Sequence, residues 1–176
     1  GRGIAHAEET PAFNSGSLNG LQLWVALPDS HRHIDPSFTH IPQVPIIETQ
    51  DGLIQLFAGN YNDASASVSY YSKIVGLTVQ VHPYHNIEIE TDTQYEHALL
   101  LLDGDCTFEN EPLTTKTLYY LGACRQSLNL RSDTGCRVLL IGGPPFPEKI
   151  LMWWNFVAHT AEEIRQARED WETDQR

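Results

Sequence analysis

Long apolar runs and basic side chains are scarce in this sequence of 176 residues. The longest apolar stretches are Ala98–Leu102, Val138–Ile141 and Ile150–Trp154. They are far shorter than the roughly 20 residues of a membrane-spanning helix, so no membrane association is expected. Eleven basic residues stand against 23 acidic ones, which gives a formal net charge of -12. That charge repels nucleic-acid phosphates, so direct nucleic-acid binding is not expected either.

Cysteine is also rare, because only Cys106, Cys124 and Cys136 occur. Their number is odd and their spacing is not that of a metal site, and no basic stretch followed by an apolar one opens the chain. These features predict a reducing, cytoplasmic compartment in which the three cysteines are buried free thiols. The first residues are Gly-Arg-Gly without a methionine, and we expect a processed or truncated product. Phosphate-binding glycine loops, serine elbows and Cys-x-x-Cys pairs are absent as well.

Short segments rich in β-branched and aromatic residues dominate the middle of the sequence. The predicted strands are Ile46–Gln50, Leu53–Ala58, Ile74–Val81, Ile87–Glu90, His97–Leu102, Thr115–Leu121, Ser127–Leu130 and Arg137–Ile141. Turn residues separate them, including Asp103-Gly104 and Asp133-Thr134-Gly135. Many evenly spaced strands predict a sandwich or barrel. The run Ala98–Leu102 is apolar on both faces and is therefore assigned to a central strand.

The two ends of the chain have other patterns. In Leu21–Leu27, the residues Leu21, Leu23, Val25 and Leu27 fall on one face, which predicts a half-buried strand. The proline-rich segment Ser30–Pro45 reads as a connection between domains. Near the other end, Thr160 and Glu163 form a capping box that predicts an amphipathic helix. We interpret Trp153-Trp154 as core packing between the last strand and that helix.

His6-Ala7-Glu8 is the strongest candidate for chemistry. If this segment is a strand, residues two apart point to the same side, and an imidazole and a carboxylate there could bind a divalent first-row metal. Other histidines have plainer interpretations: His31-Arg-His33 as a solvated loop, and His40, His82 and His85 as structural or surface residues. His97 is expected to point into the barrel, where Glu88, Glu90 or Glu96 could approach it.

Three separated strings resemble the pirin family, in the order found there, and the resemblance covers essentially the whole chain. They are Gly1-Arg-Gly-Ile-Ala-His-Ala-Glu8 followed by Leu21–Pro28, then Leu139-Leu-Ile-Gly-Gly-Pro144, and then Met152-Trp-Trp-Asn-Phe-Val157 with Glu162–Ile164 and Asp170-Trp171. Pro144 stands where the family usually has glutamate. The resemblance implies an all-β fold, a cupin-type double-stranded β-helix (jelly-roll barrel) with a C-terminal α-helix, preceded by a remnant of a first cupin barrel.

The implied division of the chain has three parts. Residues 1–45 would be the tail of the N-terminal barrel with its linker, residues 46–150 the C-terminal barrel, and residues 151–176 a C-terminal helical segment. The resemblance implies an iron(II) site of three histidines and one glutamate in the first barrel. His6 and Glu8 would be the last two metal ligands, and the family's upstream His-x-His string is missing. The second barrel is implied to be metal-free.

Three functions remain open for such a chain. The first is an iron-dependent quercetin 2,3-dioxygenase activity of the full-length protein on a flavonol-like small molecule, with Glu8 as both ligand and candidate catalytic base. The second is an iron-dependent, redox-sensing regulatory protein that acts through a protein partner. The third is an inactive fragment with a structural second barrel. Because a truncated barrel leaves strand edges unpaired, we expect residues 1–27 to be mobile or covered by another copy of the chain.

Overall fold

The short segments rich in β-branched and aromatic residues in the middle of the chain form the strands that their composition predicts. The structure is a computed structural model that describes residues 1–4, 6–16 and 20–173. It divides into two compact units. We call residues 40–146 the sheet unit, and residues 1–39 with 147–176 the terminal unit. Within the described residues, no helix is long and apolar enough to cross a membrane.

The strands lie in both units and the helix in the terminal unit. In chain order the elements are β1 (Ile46–Glu48), β2 (Gly52–Ala58), β3 (Asn60–Tyr61), β4 (Ala64–Ser65), β5 (Val75–Val81), β6 (His85–Glu90), β7 (Glu96–Gly104), β8 (Thr107–Phe108), β9 (Glu111–Pro112), β10 (Leu118–Gly122), β11 (Ser127–Ser132), β12 (Cys136–Gly143), β13 (Leu151–Trp153), β14 (Phe156–Ala158) and α1 (Ala161–Glu172). All eight predicted strands are confirmed, with boundaries that shift by a few residues.

Two antiparallel sheets build the sheet unit. The six-stranded sheet has the order β1-β2-β5-β12-β7-β10, and the four-stranded sheet has the order β6-β11-β8-β9. Because side chains alternate between the faces of a strand, each sheet turns one apolar face toward a shared core. Leu77, Leu99 and Leu140 of the larger sheet belong to the same buried cluster as Ile89 and Leu128 of the smaller one. The predicted sandwich architecture is confirmed.

Strand β7 occupies an interior position in the six-stranded sheet. It pairs with β12 along one edge and with β10 along the other. Ala98, Leu99 and Leu101 are buried, as expected for a run that is apolar on both faces. The prediction of a central strand at Ala98–Leu102 is therefore confirmed.

Asp105 joins two turns at one end of the sheet unit. Its carboxylate accepts hydrogen bonds from the backbone N–H groups of Asp133 (3.2 Å) and Thr134 (3.1 Å) and from the Thr134 hydroxyl. The Ser132 hydroxyl donates to the Asp105 carbonyl at 2.6 Å and accepts from the Gly135 N–H at 2.8 Å. The hydrogen bond from the Thr134 side chain is the largest cause that lowers the pKa of Asp105. We call this arrangement the Asp105 clamp.

The backbone beside Asp105 depends on glycine. Gly104 has φ +81, in the left-handed region, and a β-carbon there would lie 2.1 Å from the carbonyl oxygen of Gly135. Only glycine allows both that conformation and this close approach of two strands. Gly104 therefore lets the chain leave β7 and enter the smaller sheet while the turn at 132–135 stays in contact.

In the terminal unit, α1 begins where the sequence predicts. The Thr160 hydroxyl accepts from the Glu163 N–H at 3.2 Å, and a Glu163 carboxylate oxygen accepts from the Thr160 N–H at 3.1 Å, so the capping box is confirmed. Residues 151–158 form the β13–β14 hairpin, so the predicted helical segment 151–176 is wrong over its first part. A reversal at Trp154 with φ 50 lets this stretch pair with itself.

Two further predictions about apolar residues are wrong. Leu21–Leu27 is not a strand, and Leu21, Leu23 and Val25 are 47%, 42% and 47% exposed. Alternation predicts a strand only where a neighbour can pair with its backbone, and the described residues provide none here. Trp153 and Trp154 are 49% and 58% exposed, so they are not core residues. Instead, Trp154 contacts neighbouring rings. It lies edge-on to Phe156 and to Trp171, each at 5.6 Å between ring centroids.

Ion pairs within the terminal unit connect residues distant in sequence. Arg32 donates to Asp29 at 2.8 Å and to Glu163 at 2.7 Å, and the His159 Nδ1 lies 2.9 Å from Asp29. The hydrogen bond from Arg32, aided by the N–H groups of His159 and Thr160, lowers the pKa of Glu163 to about 2. Glu163 is thus both part of the helix cap and an electrostatic link to residues 28–34.

Replacing Glu163 tests this link. Because the pKa of Glu163 is lowered in the folded chain, its carboxylate stabilises the fold at any pH above the ordinary pKa of 4.5. That contribution is lost as the pH falls toward 2. We expect Glu163→Ala to cost about 1 kcal/mol near neutral pH. All four tryptophans (Trp24, Trp153, Trp154, Trp171) lie in the terminal unit, so tryptophan fluorescence during urea unfolding measures the effect. Glu162→Gln, which removes only an exposed pair with Arg165, is the control; an equal loss there would contradict the assignment.

His97 provides a second test of the fold. It is 2% exposed and stacks on Tyr95 at 6.2 Å between ring centroids. Burial lowers the pKa of His97, against a smaller opposing effect of the Asp92 charge. An unfolded chain binds this proton near pH 6.5 whereas the folded chain resists it, so stability falls as the pH drops below about 6.5.

We expect about 1 kcal/mol of stability to be lost through His97 between about pH 7 and about pH 5. His97→Leu should remove that part of the pH dependence. Tyrosine fluorescence is the readout, because all seven tyrosines lie in the sheet unit. His40→Leu, at an exposed position of the same unit, is the control. An unchanged pH dependence in His97→Leu would show that another group causes it.

Candidate functional site

His6 and Glu8 lie in an irregular, exposed segment of the terminal unit. Neither residue belongs to a strand, and both side chains are exposed. The prediction that both side chains project to the same side required this segment to be a strand, and it is not one. The His6 Nε2 lies 3.5 Å from the Gln22 side-chain amide nitrogen, which is a long polar contact at the limit of hydrogen bonding.

The donor types of this pair fit an iron(II) site, but their number does not. Imidazole nitrogen and carboxylate oxygen are suitable ligands for non-haem iron, and both are accessible here. Across residues 1–4, 6–16 and 20–173, however, no group of three or more His, Cys, Asp or Glu side chains is positioned to hold a metal ion. His6 and Glu8 alone would leave most coordination positions to donors from elsewhere. We therefore derive no chemical step through a metal from these residues.

Among the described residues, none of the histidines interpreted as loop, structural or surface residues belongs to a group that could bind a metal ion. His31 is within a turn in which its N–H donates to the Pro28 carbonyl at 2.8 Å, and His33 and His40 are exposed. The Nδ1 atoms of His82 and His85 contact the backbone carbonyls of Gln50 (3.4 Å) and Pro83 (2.9 Å). His85 therefore contacts its own turn, and His82 contacts the backbone 32 positions earlier in the chain.

His97 is buried, as expected, but the carboxylates considered for it point elsewhere. Glu88 and Glu90 are exposed, and Glu96 accepts a hydrogen bond from the Tyr120 hydroxyl at 2.7 Å. The cross-strand partners of His97 are Gly122 and Gly142. A β-carbon at Gly142 would lie 2.7 Å from the His97 ring, so the glycine makes room for the imidazole. This arrangement favours packing over ligand binding.

Sequence reasoning missed two features of the terminal unit. One is His159, which is largely buried and pairs with Asp29; its partner is 130 positions away, so no local pattern indicates it. The other is a groove of about 530 Å³ beside α1. Its lining residues are Trp153, Ala161, Ile164, Arg165, Arg168, Glu169 and Glu172. The groove therefore combines one aromatic wall with two arginines and two glutamates from a single face of the helix.

Two of the three cysteines are buried, whereas the sequence predicts that all three are. Cys106 and Cys136 are buried free thiols, as expected, whereas Cys124 is exposed. Cys124 has φ 68 in the reversal after β10, and loop positions of this kind lie on the surface.

Comparison with known proteins gives consistent matches over nearly the whole chain. A Pseudomonas aeruginosa protein provisionally named a quercetin 2,3-dioxygenase is 38% identical over 172 residues, which are 98% of this chain and 54% of that protein. A pirin-like protein of Caulobacter vibrioides is 29% identical over 177 residues, covering 97% of this chain and 60% of that protein. The chain thus spans about half the length of the curated relatives it matches.

Solved structures agree with these sequence matches. The crystal structure of a quercetin 2,3-dioxygenase from Acinetobacter baumannii has a TM-score of 0.82 and 32% identity, and the match covers 86% of this chain and 50% of that one. A second such structure from the same organism, at 20% identity and a TM-score of 0.69, supports the fold alone. The predicted cupin fold with a C-terminal helix is confirmed. Because the family profile of the pirin C-terminal cupin domain matches residues 76–175, the chain belongs to the pirin family.

Proposed function

We propose that this chain is part of a pirin-type oxygenase of the quercetin 2,3-dioxygenase class, which acts on a flavonol-like aromatic compound. The observation that carries the proposal is the accessible His6-x-Glu8 pair in a segment that aligns with a relative of that name at 38% identity. The fold alone would not support it, since cupin-like sandwiches serve many functions.

His6 and Glu8 have separate tasks in this proposal. Both would bind iron(II), and the remaining ligands would come from residues of the full-length protein that are outside the 176 residues. When bound, the iron would supply Lewis-acid and redox chemistry toward substrate and dioxygen. The Glu8 carboxylate would also accept the proton of the substrate hydroxyl, as a general base. The Gln22 amide, 3.5 Å from the His6 Nε2, is near enough to influence the orientation of the ring.

A second candidate function is an iron-dependent regulatory protein that binds a protein partner. The observation that favours it is the exposed β13–β14 hairpin. Met152, Trp153 and Trp154 there are 63%, 49% and 58% exposed, and clustered methionine and tryptophan side chains are typical of protein-binding surfaces. This function would need the same iron site but no cavity for an aromatic substrate.

Metal binding tests the assignment of the ligands. We expect the 176-residue chain alone to bind ferrous iron weakly under anaerobic conditions. A chimera that adds the amino-terminal part of the 38% identical Pseudomonas relative should hold about one iron per chain by elemental analysis. In that chimera, His6→Ala or Glu8→Ala should weaken iron binding by about tenfold or more.

The matched control is His33→Ala, an exposed histidine of the same unit, which should leave iron content unchanged. If the chimera keeps its iron after His6→Ala, then His6 is not a ligand. The iron-loaded chimera should next be mixed with quercetin and dioxygen, with flavonol loss followed by absorbance. Iron binding without flavonol consumption would favour the regulatory function over the oxygenase.

A further inference from the structure

Two cysteines meet at the end of the sheet unit where the chain passes between the sheets. Cys106 follows β7 and Cys136 is the first residue of β12, directly opposite Gly104 in the register of those strands. They are 2% and 6% exposed and belong to the same core cluster. The Cys106 thiol donates to the Thr107 carbonyl, with 3.7 Å between sulfur and oxygen, and the influence of each of the two cysteines on the pKa of the other agrees with their proximity. Neither residue has a role in the proposed metal chemistry.

The surrounding structure holds the two thiols in place. The Asp105 clamp ties the residue before Cys106 to the turn that precedes Cys136, through hydrogen bonds of 2.6 to 3.2 Å. On the other side, the Leu113 N–H donates to the Cys106 carbonyl at 2.7 Å. A β-carbon at Gly104 would lie 2.8 Å from the α-carbon of Cys136. Both backbones are therefore fixed at close approach before any reaction takes place.

The environment makes the two sulfurs chemically unequal. A hydrogen bond with Cys136 and burial both raise the pKa of Cys106, which stays a thiol. The hydrogen bond with Cys106 lowers the pKa of Cys136, although burial opposes it, and Ser132 and the Val81 backbone lower it further. The thiolate is the nucleophilic form of cysteine, so Cys136 is the sulfur that reacts first.

We propose that Cys106 and Cys136 form a reversible disulfide when the protein meets a peroxide, which makes this corner of the sandwich a redox-modification site. The Cys136 thiolate attacks one peroxide oxygen, the O–O bond breaks, and the second oxygen leaves and is protonated to water. The resulting sulfenic acid is attacked by the Cys106 sulfur, which forms the S–S bond and releases a second water. Two thiols are oxidised and one hydrogen peroxide is reduced to two waters.

The bond would connect two points of the core that are 30 positions apart in sequence, and β8 to β11 lie within the closed loop. Closing such a loop restricts the unfolded chain and raises stability. The bond is reversed by thiol–disulfide exchange, in which a reductant thiolate attacks one of its two sulfurs. The modification is therefore a reversible change in the stability of the sheet unit.

The exposed third cysteine supplies the control for an experiment. Cys124→Ser removes the accessible thiol, so any intramolecular disulfide in that variant must join Cys106 and Cys136. We expect this variant, treated with hydrogen peroxide, then unfolded and alkylated, to lose two alkylation sites and the mass of two hydrogens. Dithiothreitol should reverse the loss. The bond should form at least about tenfold faster in the folded protein than in urea, because folding supplies the proximity.

Two outcomes would overturn the proposal. One is that both thiols of Cys124→Ser are still alkylated after peroxide treatment, and the other is that the disulfide forms no faster in the folded protein than in urea. Cys124→Ser/Cys106→Ser, which keeps a hydroxyl donor beside Cys136, tests the order of the reaction: Cys136 should then stop at sulfenic acid, which dimedone traps. If that variant does not fold, the melting temperature of oxidised against reduced Cys124→Ser decides instead. An increase on oxidation is expected, and no change contradicts a disulfide at this place.

Discussion

Backbone pairing along both edges of β7 is the constraint on which the sheet unit depends. A strand that is apolar on both faces must be buried, and its N–H and C=O groups then need partners on either side. β12 and β10 provide them. β7 therefore lies next to β12, and the opposite edge of β12 pairs with β5. It also sets His97 between two glycines, where an imidazole fits without displacing a neighbouring side chain.

Much of this fold could be predicted because its signals are local. A short run of β-branched and aromatic residues between turns marks Leu53–Ala58, and the Thr160–Glu163 capping box marks the start of α1; both features act within a few residues. The errors arise where the outcome depends on a partner. Leu21–Leu27 has an apolar face like that of a strand but no pairing strand among the described residues. Trp153-Trp154 is apolar enough for a core but is exposed at the end of the β13–β14 hairpin. Local pattern indicates what a segment can do, and pairing decides whether it does so.

The candidate site remains a prediction from residue types. His6 and Glu8 follow from the string that resembles the family, and both side chains are exposed. The number of donors around them could not be read from spacing, because ligands of one metal usually come from separate segments. The same limit explains why the links of Asp29 to His159 and of Arg32 to Glu163 were missed. Contacts between residues 130 positions apart leave no periodic signal in a single sequence.

The composition of the terminal unit has a consequence for synthesis on the ribosome. Its two parts, residues 1–39 and 147–176, are separated by the whole sheet unit. At translation rates of about 5 to 20 residues per second, the first part waits several seconds or more before its partner segment is made. Residues 40–146 form their own core and can fold in that interval. On the nascent chain, residues 1–39 thus lack the segment that contains Glu163, the partner of Arg32, until residues 147–172 emerge, and a chaperone could bind them in that interval.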